Sequence, residues 1–596
     1  MRKCSFPMKA AIRSEVLTEF AQLERLANEW ERLWSRNPRR EIFTKFAWAR
    51  AWWQGYGPRR SLCAPAVFNG NRLIGILPVV AEGRTLRFLG TPRCADYNDL
   101  LCEPDASSEV LEHALWALYN LQRSWDRCVL ENVSESSQIV TLFEQLYGRL
   151  RSRLYLASGS SCSSVVLEGR HNEVLGEILR KKSLRRHQNN LRKRGKLSFR
   201  HLEDTEEIKL HLPTFFQQHI ARWAMVGSES LFSHKEERTF YYALVDELDP
   251  RTELRFAVLE LDGRPIAYHL GFELQGKFIF YKPTFDVNLW NQSAGEVLLR
   301  CLFEYVAARD IREFDFTIGN EVYKDRFANH VSSNYCIYLY PSGPRGSMLH
   351  LCMRAEERAK LKLKQNPRLF LVIKATVAGV KRIYCGFSLV LRHHGLWALS
   401  KKLIAQIFRT TVFARDEVLV FSCEKEAQIV ASDHLEVRPG TLAELATLSV
   451  KYSGFLDVPG LHEARERLNR GDRLYIAQDE DNFICLAWMG IRNVVTALEV
   501  GSECRIELDE PISLIYDCWT PPAIRGDGIY PRLLQRLVSL ALEEHRQVWI
   551  YCRNDDLAAR SDIEKAGFQL RHMMGQIQLF HWVRRTWVRS CNGERF

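Results

Sequence analysis

Apolar positions along the chain fall into three passes that share one order. Between 16 and 57, Phe20, Leu23, Leu26, Trp30 and Leu33 recur at three- and four-residue spacing, which predicts a helical region with one core-facing stripe. Apolar runs at 63–68 and 72–80 follow, joined by Asn69-Gly70-Asn71, a hairpin signal. A strand at 85–90, a helix over 107–124 and a strand at 127–133 complete the pass. The middle third repeats the order: strands at 253–261 and 265–274 around Asp262-Gly263-Arg264, a strand from Lys277, a helix over 294–308 and a strand at 312–316. The last third does so again, with strands at 473–478, 483–489 and 512–519, a helix on Ile529, Leu533, Leu534, Leu537 and Ala541, and a strand at 548–552. One element order met three times predicts an α/β protein of three like units.

The last pass carries the clearest chemistry. Leu514–Trp519 reads as a buried strand, Arg525-Gly526-Asp527-Gly528 as a glycine loop, and Pro531 falls in the first turn of the helix that follows. Such a loop leaves unpaired N–H groups at the positive end of a helix, where an anion binds. Asp517 is the available carboxylate for taking an amine proton. In the middle pass, Ser293 and Gly295 stand at a predicted helix N-terminus and offer N–H groups to an anion. Asp286 is a candidate catalytic carboxylate there, or simply a cap or salt bridge; Lys324 is a candidate contact for a phosphate or carboxylate, and Glu321 a candidate substrate contact. In the first pass Thr91–Asp99 takes the place of a glycine loop and shows no phosphate cradle.

The register Pro522-x-x-Arg525-Gly526-x-Gly528, followed by Asn554 and by Glu564-Lys565-Ala566-Gly567-Phe568, resembles the acetyl-CoA-binding signature of the GNAT acyltransferases over about residues 434–583. The resemblance implies acetyl-CoA or another acyl-CoA as co-substrate and no metal. It implies contacts from Cys518, Arg525, Gly526, Asp527, Gly528, Ile529, Tyr530 and Asn554. Two positions depart from the pattern. Tyr530 replaces the second small residue of the loop, and Ile563 stands where many members place a tyrosine that protonates the leaving thiolate; Tyr551 or Tyr516 is then the substitute acid. Residues 15–340, through Gly263-Arg264-Pro265, Phe285-Asp286, Ser293-Ala294-Gly295, Phe314-Asp315-Phe316 and Gly319–Lys324, resemble the CelD-type acetyltransferases of polysaccharide loci. Those are tandem-GNAT proteins related to the Fem-type aminoacyl transferases. The implied organisation is a first unit without cofactor (1–165), a transferase unit (166–340), a basic helical linker (341–411) and a further GNAT domain (412–596).

Charge sharpens the choice of partner. The 596-residue chain carries +11, with 46% hydrophobic and 26% charged residues, which places it among globular proteins that meet anions. Arg180–Arg200 holds ten Lys or Arg and no acid, so Arg185 and Arg186 are candidate grips on a phosphate-rich substrate, or one solvated helix face. A second basic run, Arg354–Arg409, reads as a connecting helical hairpin or as a surface for anionic lipid. The 16 cysteines show neither zinc nor disulfide spacing, and no apolar leader is present at the N-terminus, so a cytoplasmic or membrane-peripheral protein is expected. The reaction implied is acyl-CoA-dependent N-acylation of an amine on a small molecule or glycan precursor, such as an amino sugar. A Fem-type transferase using aminoacyl-tRNA and a non-catalytic regulatory protein are the alternatives.

Overall fold

The three passes fold as strands around a crossover helix, in a mixed α/β protein. The computed structural model describes residues 12–91, 93–137, 139–143, 153–319, 321–364, 413–423, 435–452, 455–479, 482–497, 504–524, 528–544, 547–579 and 583–591. They form two bodies, 1–365 and 366–596.

The first body opens with β1 (Ile12–Leu17), α1 (Phe20–Arg25), α2 (Ala27–Arg36), α3 (Phe46–Tyr56), β2 (Ser61–Leu62), β3 (Ala64–Asn69), β4 (Arg72–Ile76), β5 (Val79–Glu82), β6 (Thr85–Phe88), β7 (Leu101–Cys102), α4 (Ser107–Asn120) and β8 (Arg127–Ser134). It continues with β9 (Leu154–Val166), α5 (His171–Arg180), α6 (Lys182–Arg192), β10 (Leu197–Leu202), α7 (Thr205–Met225), α8 (Lys235–Glu247), β11 (Leu254–Leu261), β12 (Arg264–Leu274), β13 (Lys277–Phe285), α9 (Ala294–Ala307), β14 (Glu313–Ile318), β15 (His330–Leu339) and α10 (Pro344–Lys364). Four strands form a small sheet, β1-β3-β4-β7, and eleven form one large sheet in the order β10-β11-β12-β13-β14-β9-β15-β8-β6-β5-β2. The large sheet therefore runs through both the first and the middle pass. β15 lies between β9 and β8, antiparallel to both, and the boundary expected at 165/166 falls inside β9.

The packing is shared in the same way. One buried cluster takes Phe43, Trp48 and Tyr97 from the first pass and Phe215, Phe240, Phe272 and Tyr281 from the middle pass. Phe43 meets Trp48 at 4.8 Å and Phe272 at 6.0 Å, both edge-on, and Trp48 meets Phe240 at 5.2 Å. Each such ring contributes about 1.5–3 kcal/mol by burial alone. On the opposite face α5, α6 and α9 cover the sheet through Val174, Leu184, Leu191, Val297 and Leu298.

The second body holds β16 (Phe413–Cys423), β17 (Leu435–Pro439), α11 (Leu442–Lys451), α12 (Val458–Asn469), β18 (Arg473–Asp479), β19 (Asn482–Thr496), β20 (Arg505–Trp519), α13 (Ile529–Leu542), β21 (Val548–Arg553), α14 (Leu557–Lys565), β22 (Gln569–Leu579) and β23 (Val583–Ser590). Its eight strands run β17-β18-β19-β20-β21-β16-β22-β23. Ile563, fully buried, belongs to the core with Leu533, Leu537 and Ile550.

The stretch 16–57 is not one helical region. It begins in β1, and Glu19 and Gln22 close a capping box at the start of α1. α2 ends at Arg36 because Asn37 precedes Pro38, and a residue before proline leaves the helical region; Asn37 has ψ 117°. Arg180–Arg200 is likewise broken. Lys181 (φ −55°, ψ 119°) separates α5 from α6, and Leu197–Leu202 is a strand paired with β11. Pro341–Gly346, expected as linker, leads into α10, which starts at Pro344. The remainder of the basic linker, 365–412, lies outside the described residues. Among the described residues no helix is long and apolar enough to cross a membrane.

Candidate active site in the middle pass

β13 and β14 run parallel and pair only over Lys277–Ile279 and Glu313–Asp315, after which they part. Two local causes open them. A bulge shifts the register of β13 against β12, at Leu270–Phe272, and a bulged strand bends away from its neighbour. On β14, Thr317 takes φ 58°, a left-handed conformation rare for a β-branched residue, and the pairing with β9 slips between Asp315 and Ile318. The helix between the two strands, α9, begins at this opening. Its N-cap, Ser293, is also left-handed (φ 53°, ψ 41°) and makes no side-chain cap bond. The first-turn N–H groups of α9 thus stand without a capping side chain, at the end of a 14-residue helix dipole. Gly295 completes the cradle: a Cβ here would come 3.1 Å from Phe285.

Polar side chains gather at the opening, and the first pass supplies one of them. Asp96, 4% exposed, accepts a hydrogen bond from Thr317, with Lys282 and Lys324 nearby. Burial raises its carboxyl above the usual range, against the pull of those cations. The Asp96 carbonyl accepts a bond from Asn334 on β15 at 3.1 Å, which fixes the loop. Lys324 is 3% exposed; its ammonium bonds Glu321 at 2.9 Å and the Ile318 carbonyl at 3.0 Å. Gly319, with φ 130°, lets the chain turn tightly over that ammonium. Arg222 of α7 donates to the Pro283 carbonyl at 2.6 Å and lies over the Phe285 ring. Thr284, 1% exposed on β13, has no hydrogen-bond partner for its hydroxyl among the described residues. Deeper along the same strands, Tyr97 donates to Asp315 at 3.0 Å, and Lys277 joins Asp315 to Glu41.

The expected site residues separate into groups. Ser293 and Gly295 stand at the start of α9, and Glu321 and Lys324 pair with each other after β14. Asp286 caps the turn after β13 by accepting from the Asn288 N–H at 3.0 Å and pairs with Arg264 at 3.0 Å. Arg185 and Arg186 lie exposed on α6, which buries Leu184, Gln188 and Leu191 on its other side. In the second body Asp517 (φ 44°) pairs with Arg467 at 2.6 Å. Tyr516 donates to Asp472 at 2.7 Å. Tyr551 packs with Trp549 on the face of β21 opposite the one that carries Ile550 and Cys552. Asn554 is tied to Glu417 through both its backbone and its side chain at 2.9 Å. Gly528 caps α13 with φ 69°, and Ile529 and Tyr530 form its first turn, while Arg525, Gly526 and Asp527 lie outside the described residues. Asp96, Lys282 and Thr317 were not singled out in the sequence. Asp96 lies in a loop without periodicity, and only the shared sheet brings that loop to β14.

Residues 179–325 match the family model of the acetyltransferase (GNAT) domain. This segment is a GNAT domain. It runs from the end of α5 to Asp325 and so contains β13, α9 and β14, the elements that build the opening. Several solved structures are similar in fold. FemX aligns at 9% identity and a TM-score of 0.38, over 52% of this chain and 96% of its own. The C-terminal domain of a putative lysylphosphatidylglycerol synthetase from Agrobacterium fabrum aligns at 11% and 0.35, over 56% and 95%. A tandem GNAT protein from the clavulanic acid biosynthesis pathway aligns at 14% and 0.33, over 56% and 100%. No curated protein matches the sequence.

Proposed function

We propose that the GNAT domain transfers an acyl group from acyl-CoA to an amine, at the opening between β13 and β14. The observation that carries this reading is the conjunction at that opening of an uncapped helix start with Gly295 and of a buried carboxyl, Asp96. When bound, acyl-CoA supplies an activated carbonyl. The first-turn N–H groups of α9 bind its phosphates, and Gly295 leaves the space for that approach. Asp96 takes the proton of the attacking amine; burial raises its affinity for protons, which strengthens a carboxylate in that role. The Thr317 hydroxyl orients the acceptor oxygen of Asp96. Lys282 and Lys324 keep the carboxylate form accessible inside a buried site. The loop from Cys94 to Tyr97 walls the opening from the side of the first pass and excludes water. The acceptor class that accords with the CelD-type resemblance is an amino sugar of a polysaccharide precursor.

Two measurements test the proposal. The purified chain should release CoA from acetyl-CoA only when an amine acceptor is present. Asp96→Asn should lower kcat by about 10²-fold or more and remove the acid-side limb of the pH–rate profile, with the KM for acetyl-CoA little changed. A variant with unaltered kcat would exclude Asp96 as the base. No acetyl-CoA binding by the wild-type chain would exclude the transferase reading altogether.

A further inference from the structure

The second body repeats the strand–helix–strand arrangement of the GNAT domain and differs from it at one decisive position. β20 and β21 pair in parallel only over Ser513–Ile515 and Val548–Ile550 and then part, as β13 and β14 do. Asp517, left-handed at φ 44°, stands beside a bulge in β20, in the part of the strand that has already left β21. The helix between them starts after a left-handed N-cap in both cases, Gly528 at φ 69° and Ser293 at φ 53°. Aligned on these caps, the second helical residue is Gly295 in the GNAT domain and Tyr530 in the second body. Gly295 leaves a cradle that one Cβ would crowd. Tyr530 puts a phenol into the equivalent place. Its hydroxyl is hydrogen-bonded with the Cys518 thiol on β20, and Cys552 on β21 is its neighbour on the other side. The ring packs against the cluster that holds Leu533, Ile550 and Ile563. The wedge between the parting strands is therefore filled by protein.

Two further groups expected at that site are also engaged: Asp517 by Arg467, and Asn554 by Glu417. The residues present do not fit an acyl-CoA lying between these strands. We infer that Tyr530 closes the strand opening of the second body, so that the chain takes up acyl-CoA only in its GNAT domain. The count of one per chain rests on the proposed function; the closure by Tyr530 does not.

Calorimetric titration of the full-length chain with acetyl-CoA separates the two. The expected stoichiometry is one for the wild type, two for Tyr530→Gly, and none for Gly295→Val, with folding of each variant checked by thermal melting. Two sites in the wild type would overturn the inference, as would a folded Tyr530→Gly chain that gains none. A wild type with no site and a Tyr530→Gly variant with one would uphold the closure while removing the proposed function. A second measurement needs no variant at position 530. Maleimide labelling of Cys518, read by mass spectrometry, should be slow and unchanged by saturating acetyl-CoA; protection by acetyl-CoA would overturn the inference.

Discussion

Asp99 is the residue whose protonation the fold disturbs most simply. It accepts from Ser137 at 2.6 Å and from the Leu100 N–H at 2.8 Å, in a cavity of about 150 Å³ that also exposes Asn37, Asn98 and Ser134. Burial is the largest influence and pushes its carboxyl up to about 6, above the ordinary 3.8. With the folded value the higher one, the native state binds more protons than the unfolded chain between about pH 4 and 6. The contribution of this group is therefore fully present at acid pH and falls as the pH rises through that window, by at most about 1.4 kcal/mol per pH unit. Asp99→Asn should flatten the fall, seen in urea unfolding at pH 4, 5, 6 and 7; parallel wild-type and variant curves would refute the assignment. Single positions divided unevenly between what sequence can and cannot tell. Gly295 and Ser293 were legible because a helix start after a strand has its own pattern. Tyr530 was legible as a large residue where a small one belongs. Asp96 was not, because its partner Thr317 is over two hundred positions away in the chain, and no local period encodes that meeting.

Helix α6 divides stability from binding across its two sides. Leu184 and Leu191 are fully buried, and Gln188 accepts from Arg300 of α9 at 3.1 Å, while Arg185 and Arg186 face outward. Leu184→Ala should cost about 2–5 kcal/mol of stability through the cavity it leaves. Arg185→Ala with Arg186→Ala should move stability by no more than about 0.5 kcal/mol, yet raise the KM of a phosphate-bearing acceptor. Chemical denaturation and steady-state kinetics on the two variants decide the matter, and unchanged KM values would leave α6 a solvated surface. Elements of this kind were readable from apolar spacing, as were the three crossover helices and the parallel strands around them. The breaks were harder. Lys181 interrupts a run whose composition is uniform, and the bulge in β13 is set by its register against β12, which no single strand records.

The first body should behave as one cooperative unit because its sheet and its aromatic core each draw on both passes. Residues 1–364 should unfold in a single calorimetric transition, whereas residues 1–165 alone should not fold, lacking β15 and half the ring cluster around Phe43 and Trp48. Two resolved transitions in the longer fragment would contradict this. The position of β15 also bears on biosynthesis. β8 and β9 follow one another in the chain but do not pair, since β15 fills the place between them. On a translating ribosome both strands emerge long before their common neighbour. Their edges must wait, unpaired and open to other nascent chains, until residue 339 clears the exit tunnel. Production of this protein should therefore depend on chaperone capacity and elongation speed more than its size alone suggests.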